Sequence, residues 1–108
     1  MTGSDFEFLI APGDVDIKAE DFDSIMTPDT FKWEKEIKND QAYYKVGDDR
    51  YSYSWEIPGI QMMFNSDIAY EKAKLIADEI VKKLTKYSGQ EIELIFISTN
   101  NVVRFDLK

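Results

Sequence analysis

Between residues 67 and 87 apolar side chains return every three or four positions: Ala69, Ala73, Ile76, Ile80, Leu84 and Tyr87, with Ala77 and Val81 widening the stripe. That spacing matches the 3.6-residue turn of an α-helix, so the segment predicts one long amphipathic helix with a single buried face. Ser66 or Asp67 can cap its start through a side-chain oxygen. Asp67 and Glu71 put negative charge at the first turns and Lys82, Lys83 and Lys86 put positive charge at the last, complementing the helix dipole. Gly89 stands where a left-handed cap is expected. The outer lysines Lys72, Lys74, Lys82 and Lys83 read as a solvated face.

The rest of the chain has a period of two or none. Tyr51, Tyr53, Trp55 and Ile57 alternate with Ser52, Ser54 and Glu56, which predicts a strand with one aromatic and one polar face. The aromatic face is either the core side of a half-buried strand or a set of exposed anchors, and both readings stand at this level. Gly47-Asp48-Asp49 marks a turn from a preceding strand over 42–46, and Pro58-Gly59 turns or bends the chain before 60–64. After the helix, residues 91–98 are rich in β-formers. Asn100-Asn101 suits a tight turn, and 102–107 alternates as a return strand. Phe6–Ala11 reads as a strand ending at Pro12-Gly13, and Val15 and Ile17 alternate with acids as a second, edge-like strand. Thr27-Pro28-Asp29 looks like a cap with proline in the first turn of a short helix over 28–38, with a strand as the competing reading. The expected fold is α+β: an antiparallel sheet of about five or six strands packed on the helix at 67–87, with the second short helix near 28–38. With 108 residues the chain is expected to form a single domain, 1–108.

Composition narrows the chemistry. There is no Cys and no His, which removes disulfides, thiolate nucleophiles, zinc ribbons and the histidine-dependent triads. The amino terminus lacks a positive n-region and no apolar run is long enough to span a bilayer, so neither a signal peptide nor a membrane span is expected and the cytoplasm is the default. The net charge is −8, and all of it lies in the first half: residues 1–49 hold 13 acids and five bases, whereas residues 50–108 hold eight of each. Within 14–23 stand Asp14, Asp16, Glu20, Asp21 and Asp23 against Lys18. This balance argues against nucleic acid or an anionic membrane as a direct ligand and favours a basic partner, with simple solubility as the plain alternative.

No chemical motif competes with that reading. Loops started at Asp14 or at Asp21 place Ala19 or Met26 where an EF-hand needs glycine, and Ile25 or Lys32 where it needs glutamate. No cofactor or metal is therefore expected. The many carboxylates mark out no acid/base pair, so no catalytic residue is assigned and the chain is read as a non-enzyme. Tyr43 and Tyr44 are adjacent, so in a strand one of them faces outward as a contact candidate.

In overall character, carried by the run Asp14, Asp16, Glu20, Asp21, Asp23 and the nearby aromatics, the chain resembles the small acidic immunity proteins of contact-dependent growth inhibition and other polymorphic toxin systems. The resemblance implies a cytoplasmic protein that neutralises a cognate toxin, often a nuclease, by covering its positive cleft with an acidic face. The residues expected to contact the partner are Asp14, Asp16, Glu20, Asp21 and Asp23, helped by Tyr44, Asp48 and Asp49. The alternatives from other classes are an acidic nucleic-acid mimic that inhibits a larger machine, an adaptor or subunit without inhibitory role, and a small enzyme with a buried carboxylate.

Overall fold

The computed structural model describes residues 1–99; the return strand expected over 102–107 and its Asn100-Asn101 turn lie outside the described residues. The elements run β1 (Phe6–Ala11), α1 (Ala19–Ile25), β2 (Glu34–Lys38), β3 (Gln41–Val46), β4 (Asp49–Glu56), β5 (Gly59–Phe64), α2 (Tyr70–Ser88) and β6 (Glu93–Ser98). The six strands form one sheet in the order β2-β3-β4-β5-β1-β6, and every neighbouring pair is antiparallel. This is the α+β arrangement expected, with the long helix packed on the sheet.

Local chemistry explains the meander β2–β5. Lys38 pairs with Gln41, so Asn39-Asp40 is a two-residue loop, and both residues adopt positive φ (53° and 66°). Asn and Asp tolerate that region because their short polar side chains bond locally, and two positive φ angles are what a type I′ hairpin turn needs. Gly47 at φ 66° opens the next two-residue loop, between Val46 and Asp49. Ile57-Pro58 forms the third, between Glu56 and Gly59. At Gly59 the backbone passes so close to β1 that a side-chain Cβ would lie 2.5 Å from the Ile10 carbonyl oxygen. A Cβ on Gly13 would meet Gly59 Cα at 2.8 Å, so the loop leaving β1 crosses tightly over the start of β5.

The core lies between one face of the sheet and α2. Phe6, Phe8 and Ile10 of β1, Tyr44 and Val46 of β3, Tyr51 and Tyr53 of β4, and Ile60 and Met62 of β5 are buried there. Ala73, Ile76, Ala77, Ile80 and Leu84 face them from α2, with Val81 at the margin. Phe6, Phe8, Phe64, Tyr70 and Phe96 form a ring cluster with centroid separations of 5.3–6.3 Å, in the range of favourable aromatic pairs.

Three expectations need correction. First, α2 starts at Tyr70 rather than at 67, and neither Ser66 nor Asp67 caps it. Its first amide is satisfied from a distance: Tyr70 N–H donates to the Met1 carbonyl at 3.2 Å, and Thr2 bridges Ala69. The C-terminus is as expected, with Gly89 left-handed at φ 72° and its N–H donating to Thr85 O. Second, residues 28–38 hold no helix. Glu34–Lys38 is a strand because the Asn39-Asp40 turn folds it onto β3, and pairing outweighs local propensity. Third, the short helix lies over Ala19–Ile25, and Val15 and Ile17 sit in the irregular segment before it. Phe22 within the acidic run and Ile25 and Met26 just after it recur at helical spacing and pack against the core.

Replacing Ile80, fully buried in the centre of α2, with alanine is expected to cost about 2–5 kcal/mol of unfolding free energy by leaving a cavity. Leu75 lies on the same helix but is 61% exposed, and its alanine variant should stay within about 0.5 kcal/mol of wild type. Urea unfolding of the two variants checks both values.

Candidate functional site

The acidic residues singled out above do not form one face. The structure sorts them by what their oxygens touch, and the sorting begins with three tyrosines. Tyr44, Tyr51 and Tyr53 project from adjacent strands into the core, so each buried hydroxyl needs a partner. Tyr51 Oη and Tyr53 Oη both donate to the Met26 carbonyl, at 2.9 and 2.8 Å. That carbonyl, at the end of α1, thus takes two donors from the sheet. Tyr44 Oη donates to Asp23 Oδ1 at 2.7 Å, and Lys35 Nζ of β2 reaches Asp23 Oδ2 at 3.0 Å. Thr27 Oγ1 donates back to the Asp23 carbonyl at 2.6 Å. The C-terminal end of α1 is therefore tied to the aromatic face of the sheet.

The titration of these groups follows from their surroundings. Partial burial pushes the Asp23 carboxyl up, but the Tyr44 hydroxyl and the Lys35 ammonium outweigh it and hold the carboxyl below the ordinary range. Burial, and then the Asp23 carboxylate, push the Tyr44 hydroxyl far above its usual range. Burial dominates at Tyr51 and Tyr53 as well, and both phenols stay protonated as donors.

Asp49 is committed elsewhere. Its carboxylate takes Lys72 Nζ at 2.7 Å and Asn65 Nδ2 at 3.0 Å. Burial pushes it up, yet these two donors hold it below the usual range. Asp48 beside it is exposed. Asp21, half-buried, accepts from Tyr87 Oη at 2.9 Å. Lys72 and Tyr87 stand 15 residues apart on α2, roughly 22 Å along the axis, so the pair Asp48-Asp49 and the acids around α1 sit at opposite ends of the helix. Tyr44, expected at a contact surface, is core at 2% exposure. The outward member of that pair is Tyr43, whose ring lies 5.3 Å from the Arg50 guanidinium. The lysine face of α2 is also largely committed. Lys72 reaches Asp49 and the Val46 carbonyl, Lys74 reaches Asp78, and Lys83 reaches Asp29 and the Thr27 carbonyl.

Asp14, Asp16 and Glu20 remain exposed and form no ion pair among the described residues. The fold places them beside the outer end of the β4 stripe, which offered exposed anchors as one of its two readings but was not among the expected contact residues. The aromatic stripe of β4 divides: Tyr51 and Tyr53 are core, whereas Trp55 is 51% exposed, one side of its indole against Phe22 of α1 at 6.5 Å. Ile57, at the tip of the β4–β5 hairpin, is fully exposed. Exposed Glu56 stands between them and accepts from Ser54 Oγ at 2.6 Å. The Gly13–Gly59 contact brings the acidic loop against the base of this hairpin. Pro12 and Pro58 line a shallow depression with Glu91 and Glu93 at the start of β6. One end of the sheet thus carries two exposed apolar side chains, with Asp14, Asp16, Glu20, Glu56, Glu91 and Glu93 on the adjoining segments and Lys18 among them. The available signal was positional: Trp55 and Ile57 are the last members of a stripe that runs past the edge of the helix layer into the turn.

Among the described residues, no carboxylate cluster has the arrangement of a metal cage, and no helix is long and apolar enough to cross a membrane. No protein-family model, curated protein or solved structure matches the chain.

The Asp23 tether has a pH signature. Its carboxyl is held lower in the folded chain than in the unfolded one, so its contribution is complete above about pH 5 and is lost as pH falls through the folded value. Because Asp23 is partly exposed, Tyr44→Phe should cost only about 1 kcal/mol at pH 7. Asp23→Asn should flatten the decline in stability between about pH 5 and pH 2. Guanidinium unfolding across that range measures both, and a D23N curve parallel to wild type would refute the tether's role in acid stability.

Proposed function

We propose that this protein binds and neutralises a basic protein, in the manner of a cytoplasmic immunity protein that covers the positive cleft of a toxin domain, with a nuclease as the first class to test. The observation that carries the reading is the composition of the acidic end: Trp55 and Ile57 exposed amid carboxylates that are not spent on internal ion pairs. Tryptophan is prominent among the side chains that dominate binding energy at interfaces, and a solvent-facing indole beside a fully exposed isoleucine suits an apolar pocket on a partner. The surrounding carboxylates suit a basic rim. They would raise the association rate by steering, while the apolar pair would slow release.

The reading assigns no catalytic residue and no cofactor. The proposed contact residues are Asp14, Asp16, Glu20, Trp55, Glu56 and Ile57; of the expected set, Asp21, bonded to Tyr87, and Asp48, at the far end of α2, are left out with Asp23, Asp49 and Tyr44. Asp23, Asp49 and Tyr44 act instead as the framework that holds α1 and the β3–β4 turn in place. The apolar centre favours a protein cleft over nucleic-acid mimicry, since a phosphate mimic needs carboxylates rather than an exposed indole and isoleucine.

The test is capture with tagged protein from its native cells, washed in low and then high salt, followed by binding kinetics and an activity assay on the recovered partner. A basic protein released by salt, whose toxicity or nuclease activity the tagged chain suppresses, is expected. Reversing Asp14, Asp16 and Glu20 to lysine should slow association and weaken its salt dependence. Trp55→Ala should instead speed dissociation, by about 30-fold or more if the indole is a central anchor. Affinity unchanged by both variants would remove this end of the molecule from the interface.

A further inference from the structure

The strands β2 and β6 are the two edges of the sheet, and β2 differs from the other five in that all of its residues, Glu34 to Lys38, are exposed; among the described residues nothing pairs with its outer edge. It is regular, without proline or bulge. Lys35 turns toward the helix side and holds Asp23, whereas Ile37 on the same side lies beyond the helices and is 68% exposed. Bare edges are usually blunted by charge, lysine above all, because an open row of amides and carbonyls recruits foreign strands. Here the signs alternate. Glu34, Lys35, Glu36 and Lys38 sum to zero in a chain of net charge −8, so this edge is a place where a second copy can approach without meeting the repulsion of the whole.

We propose that the outer edge of β2 is a self-association surface, on which β2 of a second copy pairs antiparallel about a two-fold axis through Ile37. An axis perpendicular to the sheet keeps both helix layers on the same side, and it sets residues of equal parity opposite one another. Centred on Ile37, the pairing brings the two isoleucines together, with Cβ atoms about 5 Å apart. It also sets Glu36 of each copy opposite Lys38 of the other, so two opposite-charge cross-strand pairs flank the axis. Each adjacent register sets a like-charge pair on the axis: centring on Glu36 opposes two carboxylates there, partly offset by Glu34 opposite Lys38, and centring on Lys35 opposes two ammonium groups there and Glu34 to Glu36. The turn at Asn39-Asp40 limits the pairing to a few residues, which makes this a weak, concentration-dependent dimer. The inference stands on the edge strand alone and does not depend on the basic-partner reading.

Sedimentation velocity on the full chain, at protomer concentrations up to about 1 mM, tests it. Wild type should move toward twice the 12.6 kDa chain mass as concentration rises. Glu36→Lys and Lys38→Glu should each weaken the dimer about tenfold or more, since each turns two attractive pairs into two repulsive ones. The double variant E36K/K38E restores both opposite-charge pairs of the Ile37-centred register and should recover the dimer. Because β2 is exposed, circular dichroism of all three variants should match wild type. A wild-type chain that stays monomeric overturns the proposal, whether the edge stays bare or takes a strand from another protein. A dimer indifferent to the single changes, or one that the double change fails to restore, overturns it as well.

Discussion

One helix cannot cover this sheet. Six strands spaced about 4.8 Å apart span roughly 24 Å, and a helix with its side chains is only about 10 Å wide. Something else must therefore cover the aromatic face of β3 and β4, and it must also supply acceptors for the hydroxyls buried there. The first third of the chain does both. The short helix α1 brings Phe22, Ile25 and Met26 as apolar cover, and it brings the Met26 carbonyl and the Asp23 carboxylate as acceptors for Tyr51, Tyr53 and Tyr44. The connection onward to β2 is then held to α2 by Glu79, which accepts from the Asp29 and Thr30 amides, and by Lys83, which donates to the Thr27 carbonyl.

This arrangement gives the charged residues two employments. Asp23, Asp49, Lys72 and Lys83 fasten loops and α1 to the body of the fold, each with more than one partner. Asp14, Asp16 and Glu20 lie in or next to the loop that precedes α1 and have no such duty. The proposed binding end follows from that division: the tether fixes α1, α1 supports one side of the Trp55 indole, and the free carboxylates border what remains exposed.

Much of the architecture was legible because it is written in short-range patterns. The stripe from Ala73 to Leu84 has one period and one outcome. The turn read at Gly47-Asp48-Asp49 is the Gly47-Asp48 loop, and the turn or bend read at Pro58-Gly59 is a tight hairpin whose loop, Ile57-Pro58, falls one residue earlier. Residues 28–38 were misread because Thr27-Pro28-Asp29 resembles a helix start, whereas the stronger signal, Asn39-Asp40, lies just beyond the segment and acts by bringing it to β3. The helix α1 was hidden for the opposite reason. Its acids dominate the run, while Phe22, Ile25 and Met26 give too short a period to stand out until a sheet is there to bury them.

By itself the sequence determined the class of fold, the long helix, the segments that become β3, β4 and β5 and the absence of histidine and cysteine chemistry, because periodicity, turn residues and composition act locally or not at all. It also determined that the excess charge lies in the first half of the chain. Only the tertiary structure decided which carboxylates are free. Whether an aspartate faces solvent or a tyrosine hydroxyl depends on a partner 21 residues away in the case of Asp23 and Tyr44, and 23 away in that of Asp49 and Lys72. Burial likewise divided one alternating stripe between the core and the surface, since the width of the helix layer, rather than any property of Trp55, determines where cover ends.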